Sequence, residues 1–298
     1  MTMLNMRQQF TATIADLMRI DESLTVLLGD IGVFGFRNVF AEHPERIYNI
    51  GILEQTTVGM ASGLSMTGLI PVVHTIAPFL VERCYEQLKL DFGYQRLGGN
   101  FVSVGGSYDY AALGCSHHCP GDIGILKNIP GMSIVVPGTA AEFDKLFKES
   151  YNNQKPNYYR LSESSNKSDQ EVNFGKGNLV KKGSRGTVIV VGNMLQAVIE
   201  ATEDIDVNIL YYTTIYPFDR DLLRSVILTD QKIIIIEPFY SGSITLDVIE
   251  SLQDINVKIS HIGVPREFLT NYGTKSEHDT ALGFDNVSIN KKILNFIE

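Results

Sequence analysis

The sequence predicts an α/β protein of two domains, each a mostly parallel sheet flanked by helices. Three observations carry that expectation. The chain has 298 residues, about twice the size of a typical domain. Short β-rich runs alternate with helical patterns from end to end, as parallel strands joined by crossover helices require. One polar stretch, 162–177, interrupts the pattern.

In the first half, β-rich runs predict strands over 24–28, 47–50, 71–76, 100–104, 133–136 and 158–161. Between them, apolar residues at helical spacing predict helices over 7–19, 53–66, 79–93 and 140–151; Leu80, Cys84, Leu88 and Phe92, at steps of four, mark the third of these. From Ser162 the chain turns polar and loses any apolar period before Phe174, the pattern of a linker. Beyond it, strands are predicted over 187–191, 208–212, 232–237 and 258–261, with helices over 194–203, 220–227, 244–252 and 288–297. The expected division is a first domain at 1–163, a linker at 164–176 and a second domain at 177–298.

Composition narrows the function classes. Hydrophobic residues make up 44% and charged residues 20%, an ordinary globular balance. A net charge of −9 lacks the global basic footprint of a nucleic-acid binder. The stretch 64–81 is the longest imitation of a membrane span, but Gly68, Pro71, His74 and Pro78 interrupt it. Three cysteines, Cys84, Cys115 and Cys119, cannot all pair within one chain, and Met1-Thr2-Met3-Leu4-Asn5 opens no signal-peptide pattern. The expected setting is the reducing cytoplasm, with neither membrane nor nucleic acid as partner.

No Gly-x-Gly-x-x-Gly, Walker or Gly-x-Ser-x-Gly motif occurs. The informative run is Ile47-Tyr48-Asn49-Ile50-Gly51-Ile52-Leu53-Glu54-Gln55. A strand ends near Gly51 and a helix follows, so Glu54 is expected in the crevice at a strand's carboxyl end, where open α/β sheets bind ligands. An acid in the first helical turn also complements the helix dipole. Glu54 is, however, the only formally charged side chain between Ile47 and Val81. In such surroundings burial favours the protonated carboxyl unless a basic group folds onto it. The run Cys115-Ser116-His117-His118-Cys119 has zinc-ligand residue types, but no second Cys/His cluster completes a site, and a structural histidine pair stays open as a reading.

Taken as an ordered set, Gly51-Ile52-Leu53-Glu54-Gln55, Ala61-Ser62-Gly63-Leu64, Ala77-Pro78-Phe79-Leu80, Arg83-Cys84-Tyr85-Glu86-Gln87, Gly114-Cys115-Ser116-His117-His118 and Ile129-Pro130-Gly131-Met132 resemble the pyrimidine-binding domain of transketolases. Past the linker, Ile262-Gly263-Val264-Pro265-Arg266-Glu267-Phe268, Gly273 and Ala281-Leu282-Gly283-Phe284 are similar to the transketolase C-terminal domain. Essentially the whole chain is covered. The resemblance is closest to the separate C-terminal subunits of split transketolases, with 1-deoxyxylulose-5-phosphate synthase and 2-oxo-acid dehydrogenase β subunits more distant.

The resemblance implies thiamine diphosphate as cofactor and transfer of a two-carbon ketol unit between sugars. It gives Glu54 the hydrogen bond to N1′ of the aminopyrimidine, which favours the 4′-imino tautomer whose nitrogen takes the thiazolium C2 proton. Phe79 falls on the aromatic that stacks on the pyrimidine, with Asp30 and Tyr85 as further cofactor-side candidates. His117 falls on the element facing the substrate carbonyl, Ser116 standing in the place of a threonine, and His118 joins them as a substrate-side candidate.

Departures from the family pattern shape the remaining expectations. Gly105 stands where transketolases carry a phosphate-binding His, Leu113 where they carry an Asp, and Glu163 where they carry an Arg. A carboxylate there repels a phosphate, although Arg160 is close in sequence. The Gly-Asp-Gly motif that holds the diphosphate through Mg²⁺ is absent. The expected partner is therefore an N-terminal transketolase subunit that carries this motif and holds most of the Mg²⁺ site, in an α2β2 assembly; no metal ligand is assigned to this chain. Two other classes stay open: a β-type subunit of a decarboxylating 2-oxo-acid thiamine enzyme, and a non-catalytic interaction subunit.

Overall fold

A computed structural model describes residues 4–227 and 231–298. Met1-Thr2-Met3, read above for a leader pattern, lies outside the described residues. Met6, Phe10, Ile14 and Leu17 form the buried stripe of α1 (Met6–Ile20). A reciprocal capping box starts it, Asn5 Oδ1 accepting from Gln8 N at 2.8 Å and Gln8 Oε1 from Asn5 N at 3.0 Å. The chain continues through β1 (Leu24–Leu28), α2 (Arg37–Glu42), β2 (Ile47–Asn49), α3 (Glu54–Met66), β3 (Ile70–Ile76), α4 (Ala77–Val81), α5 (Tyr85–Gln87), a π-helical segment over Leu88–Tyr94, β4 (Gly99–Val104), α6 (Asp122–Leu126), β5 (Ser133–Val135), α7 (Ala140–Ser150) and β6 (Pro156–Arg160). After the polar stretch come β7 (Gly177–Lys181), β8 (Thr187–Val191), α8 (Leu195–Ala201), β9 (Asn208–Tyr212), β10 (Thr214–Tyr216), α9 (Arg220–Val226), β11 (Gln231–Tyr240), α10 (Thr245–Ser251), β12 (Val257–Val264), α11 (Lys275–Leu282) and α12 (Asn286–Ile297).

Two sheets organise these elements, in the orders β10-β5-β6-β4-β3-β1-β2 and β12-β11-β8-β9-β7. Within the first sheet β2, β1, β3, β4, β6 and β5 are all parallel, and in the second only β7 runs antiparallel. Both faces of the central strands are covered, so β1, β4 and β6 are buried along their whole length. On one face Phe10, Ile14 and Leu17 meet Phe143, Leu146 and Phe147. On the other, Val58, Ala61, Leu80, Leu88 and Phe92 form the layer. Helices on both sides leave the loops at the carboxyl ends of β1, β2, β3, β4 and β6 as one rim.

Three expectations change. The helix expected over 79–93 is broken into α4, α5 and the π-helical segment. Arg83 N reaches Pro78 O at 3.2 Å and Leu97 N reaches Phe92 O at 3.0 Å, both five-residue steps that widen the turns. Ile129 packs so closely on Gly93 that a Cβ there would lie 2.5 Å from its Cγ2. Second, β10 leaves the second half of the chain and pairs antiparallel with β5, so the first sheet is completed by a strand from beyond the polar stretch. Third, that stretch is packed as a strap: Val172 and Asn166 are buried, and the Asn166 amide donates to Gly192 O at 3.1 Å.

Candidate active site

The rim is built from short connections whose backbone the sequence allows. After β1, Asp30 adopts φ 66°, a left-handed conformation that Asp tolerates. Asn49, at the end of β2, ties the two connections together. Its Oδ1 accepts from Asp30 N at 3.0 Å and from Gly51 N at 3.1 Å, and its Nδ2 donates to Asp30 Oδ1 at 3.2 Å. Gly51, at φ 82°, then turns the chain into α3.

Glu54 is the first residue of α3 and only 3% exposed. A basic group does fold onto it: Arg83, in the turn between α4 and α5, places Nη1 2.6 Å from Glu54 Oε2. Oε1 has no hydrogen-bond partner among the described residues. The same guanidinium lies over the Phe79 ring, 4.3 Å from its centroid. Phe79 in turn meets His117 edge to face, with ring centroids 5.3 Å apart and an interplanar angle of 73°. Ser116 Oγ lies 3.1 Å from His117 Nδ1. Cys84, beside Arg83, bonds through Sγ to Phe79 O at 3.2 Å, and burial, then the Glu54 charge, push its thiol up to about 12.

The structure thus joins Glu54 to Phe79 through Arg83 and Phe79 to His117 and Ser116 by ring contact, and places Asp30 on the neighbouring connection. Sequence reasoning quoted Arg83 within a motif but gave it no role, and missed Asn49. Tyr85, the first residue of α5, is half-buried against the apolar layer that includes Cys84 and Leu88. His118 parts from His117: it is buried, and its ring faces His278 at 5.9 Å. Zinc finds no support, because Cys119 is buried with its Sγ 3.7 Å from Glu82 Oε1 while Cys115 is exposed. Among the described residues no group of three His, Cys, Asp or Glu is placed to hold a metal ion.

Glu163 lies beyond β6 and lines a cavity of about 340 Å³ with Asn5, Arg7, Tyr110 and Ser162. Its backbone N–H donates to Asp109 Oδ2 at 3.0 Å, and burial and then the Asp109 charge raise its pKa. The sequence neighbour Arg160 does not reach this cavity's lining. It is buried, with Nε 2.7 Å from Asp122 Oδ2 and Nη2 2.7 Å from Ser107 Oγ. Leu113 is exposed. Gly105 is a glycine for a structural reason: at φ 74°, a Cβ would also lie 2.4 Å from the Tyr110 ring.

Comparison with known proteins places this geometry. Residues 2–168 match the family model of the transketolase pyrimidine binding domain, and residues 175–289 that of the transketolase C-terminal domain. An uncharacterized 33.6 kDa protein in the fasciation locus of Rhodococcoides fascians is 38% identical over 291 residues, covering 97% of this chain and 93% of that protein. One of the subunits of the apulose-4-phosphate transketolase of Phocaeicola vulgatus is 30% identical over 308 residues, covering 99% and 98%. Among solved structures, a split gene transketolase described as an inactive β4 tetramer superposes with a TM-score of 0.86 at 23% identity, covering 99% of this chain and 98% of the other. The chain belongs to the transketolase family.

Proposed function

We propose that this chain is the pyrimidine-binding and C-terminal subunit, divided at 164–176, of a two-chain thiamine diphosphate-dependent enzyme that transfers a two-carbon ketol unit between sugars. The observation that carries the reading is Glu54: a buried carboxylate with Oε2 anchored on Arg83, whose guanidinium lies over the Phe79 ring, and with Oε1 left without a hydrogen-bond partner among the described residues. That donor set fits the aminopyrimidine half of the cofactor. Glu54 Oε1 would accept a hydrogen bond from protonated N1′, Arg83 would fix the carboxylate's orientation, and Phe79 would give the ring an apolar face. Thiamine diphosphate, when bound, would supply a thiazolium C2 carbon that becomes nucleophilic once its proton is removed. His117, oriented by Ser116, would donate to a sugar oxygen.

The diphosphate half fits less well, since no Gly-Asp-Gly occurs in the sequence and no metal-binding group of three is present among the described residues. We therefore assign Mg²⁺ and the diphosphate to an N-terminal partner subunit in an α2β2 assembly. The description of the split gene transketolase β4 tetramer as inactive supports this requirement. Three unpaired cysteines support a cytoplasmic setting, and no helix among the described residues is long and apolar enough to cross a membrane.

The test is copurification with the product of a reading frame carrying Gly-Asp-Gly and a downstream Asn, followed by assay with thiamine diphosphate, Mg²⁺ and a panel of ketoses and aldoses. The panel includes apulose 4-phosphate, the sugar phosphate in the name of one relative. The expected product is an acceptor lengthened by two carbons, formed only when both chains are present. Release of CO₂ from a 2-oxo acid with no sugar product would overturn the reading.

A further inference from the structure

We propose that α11 of the C-terminal domain is the positioning element for the loop that carries His117, acting through His278 and Asp279. The inference rests on the reading above that His117 faces the substrate.

The loop 107–119 leaves β4 and has little structure of its own. It holds two single 3₁₀ turns, Ala111–Leu113 and Cys115–His117, between ends joined by an isolated bridge of Ser107 with Cys119, whose N–H donates to Ser107 O at 2.7 Å. Such a loop, carrying the half-exposed His117 beside its returning end, needs outside contacts to hold one conformation against its chain entropy.

The first domain holds Ser107 through Arg160 and Asp109 through Ser162 and Glu163, and a second set of contacts comes from the other half of the chain. Tyr108 OH donates to Asp279 Oδ1 at 2.7 Å. Lys275 Nζ lies 2.8 Å from Asp279 Oδ2 and 5.5 Å from the centre of the Tyr108 ring. His278, buried, is wedged between the two ends of the loop, 5.4 Å from Tyr108 and 5.9 Å from His118 by ring centroid. Ser107 Oγ donates to Pro238 O, and Gly114, at φ 77°, sits so close to Tyr272 that a Cβ would lie 2.8 Å from its ring. On the site side, the ring contact of His117 is with Phe79. The loop is therefore held in part by the second domain and meets the site through His117. His118, expected on the substrate side, makes its ring contact with His278 of that second-domain anchorage.

Asp279 and Tyr108 touch none of Glu54, Arg83 or Phe79, so their loss separates substrate placement from cofactor activation. In the complex with the partner subunit, Tyr108→Phe and Asp279→Ala should each raise the donor-sugar KM about 10-fold, less than the ~10²-fold that a full 1 Å misplacement can cost. The double variant should be no worse than either single one. Asp279→Asn, which keeps an acceptor for the tyrosine hydroxyl, should retain the wild-type KM. Amide hydrogen exchange across 110–118 should quicken in the first two variants, while cofactor C2 proton exchange stays at the wild-type rate. Unchanged KM or unchanged loop protection in Asp279→Ala would overturn the inference, as would a parallel fall in C2 exchange, which marks general damage. Absence of C2 exchange in the wild-type complex would instead overturn the thiamine reading, and the inference with it.

Discussion

Arg83 Nη1 lies 2.6 Å from Glu54 Oε2 although 29 residues separate the two in sequence. Glu54 is 3% exposed, whereas the Arg83 side chain is 38% exposed. The pair is thus asymmetric: the carboxylate has lost its water and the cation has kept much of its own. Removing Arg83 would leave a buried charge uncompensated, the costly half of breaking such a pair.

From this arrangement, Glu54→Gln should preserve the fold and partner contact while slowing turnover by about 10²–10⁴-fold, the usual contribution of a general acid–base group. An amide cannot share a proton with a ring nitrogen in the same way. The direct measurement is exchange of the cofactor C2 proton in the purified variant complex. Exchange at the wild-type rate would return Glu54 to the plain role of an acid in a first helical turn.

The isolated chain should bind thiamine diphosphate weakly and show no ketol transfer, because it offers one end of the cofactor a carboxylate and an aromatic face but no assembled metal site among the described residues. Calorimetric titration of the chain alone, with and without Mg²⁺, checks this. Tight Mg²⁺-dependent binding would show that the chain holds the diphosphate itself.

The sequence was most legible where burial is complete. The strands expected over 24–28, 187–191 and 208–212 coincide with β1, β8 and β9, because parallel strands covered on both faces read as unbroken apolar runs. Three-residue β10 offered no such run, and its place in the first sheet depends on contacts that local pattern does not encode. Helix α11 was missed because His278 is its one buried residue, so no apolar period marks it. Its capping box, Thr274 with Glu277, was readable and would have flagged its start. At the site, Glu54, Phe79 and His117 came from an ordered motif, whereas the role of Arg83 depends on how a broken helix turns. Arg160 misled by its nearness to Glu163: residue 160 ends a buried strand and pairs inward with Asp122, while residue 163 lies beyond it, at a cavity.

Stability should fall on acidification between about pH 6.5 and about pH 4 through His74. The residue is fully buried on β3; its Nδ1–H donates to Val102 O at 2.8 Å and its ring packs on Phe10 at 4.7 Å. Burial lowers its pKa from 6.5 to about 4; the Val102 bond opposes that shift and the Arg7 charge adds to it. The unfolded chain then binds the proton more readily than the folded one. The stabilisation from a neutral His74 is present above the unfolded value and lost as pH falls toward the folded one, with a slope of at most ~1.4 kcal/mol per pH unit. Urea midpoints at several pH values across this window should change less steeply for His74→Gln, whose amide can donate to the same carbonyl. Equal slopes for the two proteins would place the acid sensitivity elsewhere.

Substrate charge should be read at the cavity beyond β6. Glu163 and Arg7 line one cavity, and the Arg7 charge offsets part of the rise that burial and Asp109 impose on Glu163. Arg160, which could have supplied a second cation, is committed to Asp122 and Ser107 in the interior. A phosphate dianion in this cavity would meet one cation and one carboxylate, and like-charge juxtaposition costs up to several kcal/mol. The wild-type complex should therefore favour a donor that is unphosphorylated at this end, or one whose charge lies farther out. Glu163→Arg replaces the repelling charge with a second cation. It should raise the ratio of kcat/KM for a ketose phosphate over that for its unphosphorylated counterpart by about 10-fold, equivalent to ~1.4 kcal/mol. The ratio, rather than either rate alone, isolates the charge effect, because a general disturbance of the loop after β6 would lower both rates together. A wild-type complex that already prefers the phosphate, with the ratio unmoved by Glu163→Arg, would show that the phosphate is held away from the Arg7 and Glu163 cavity.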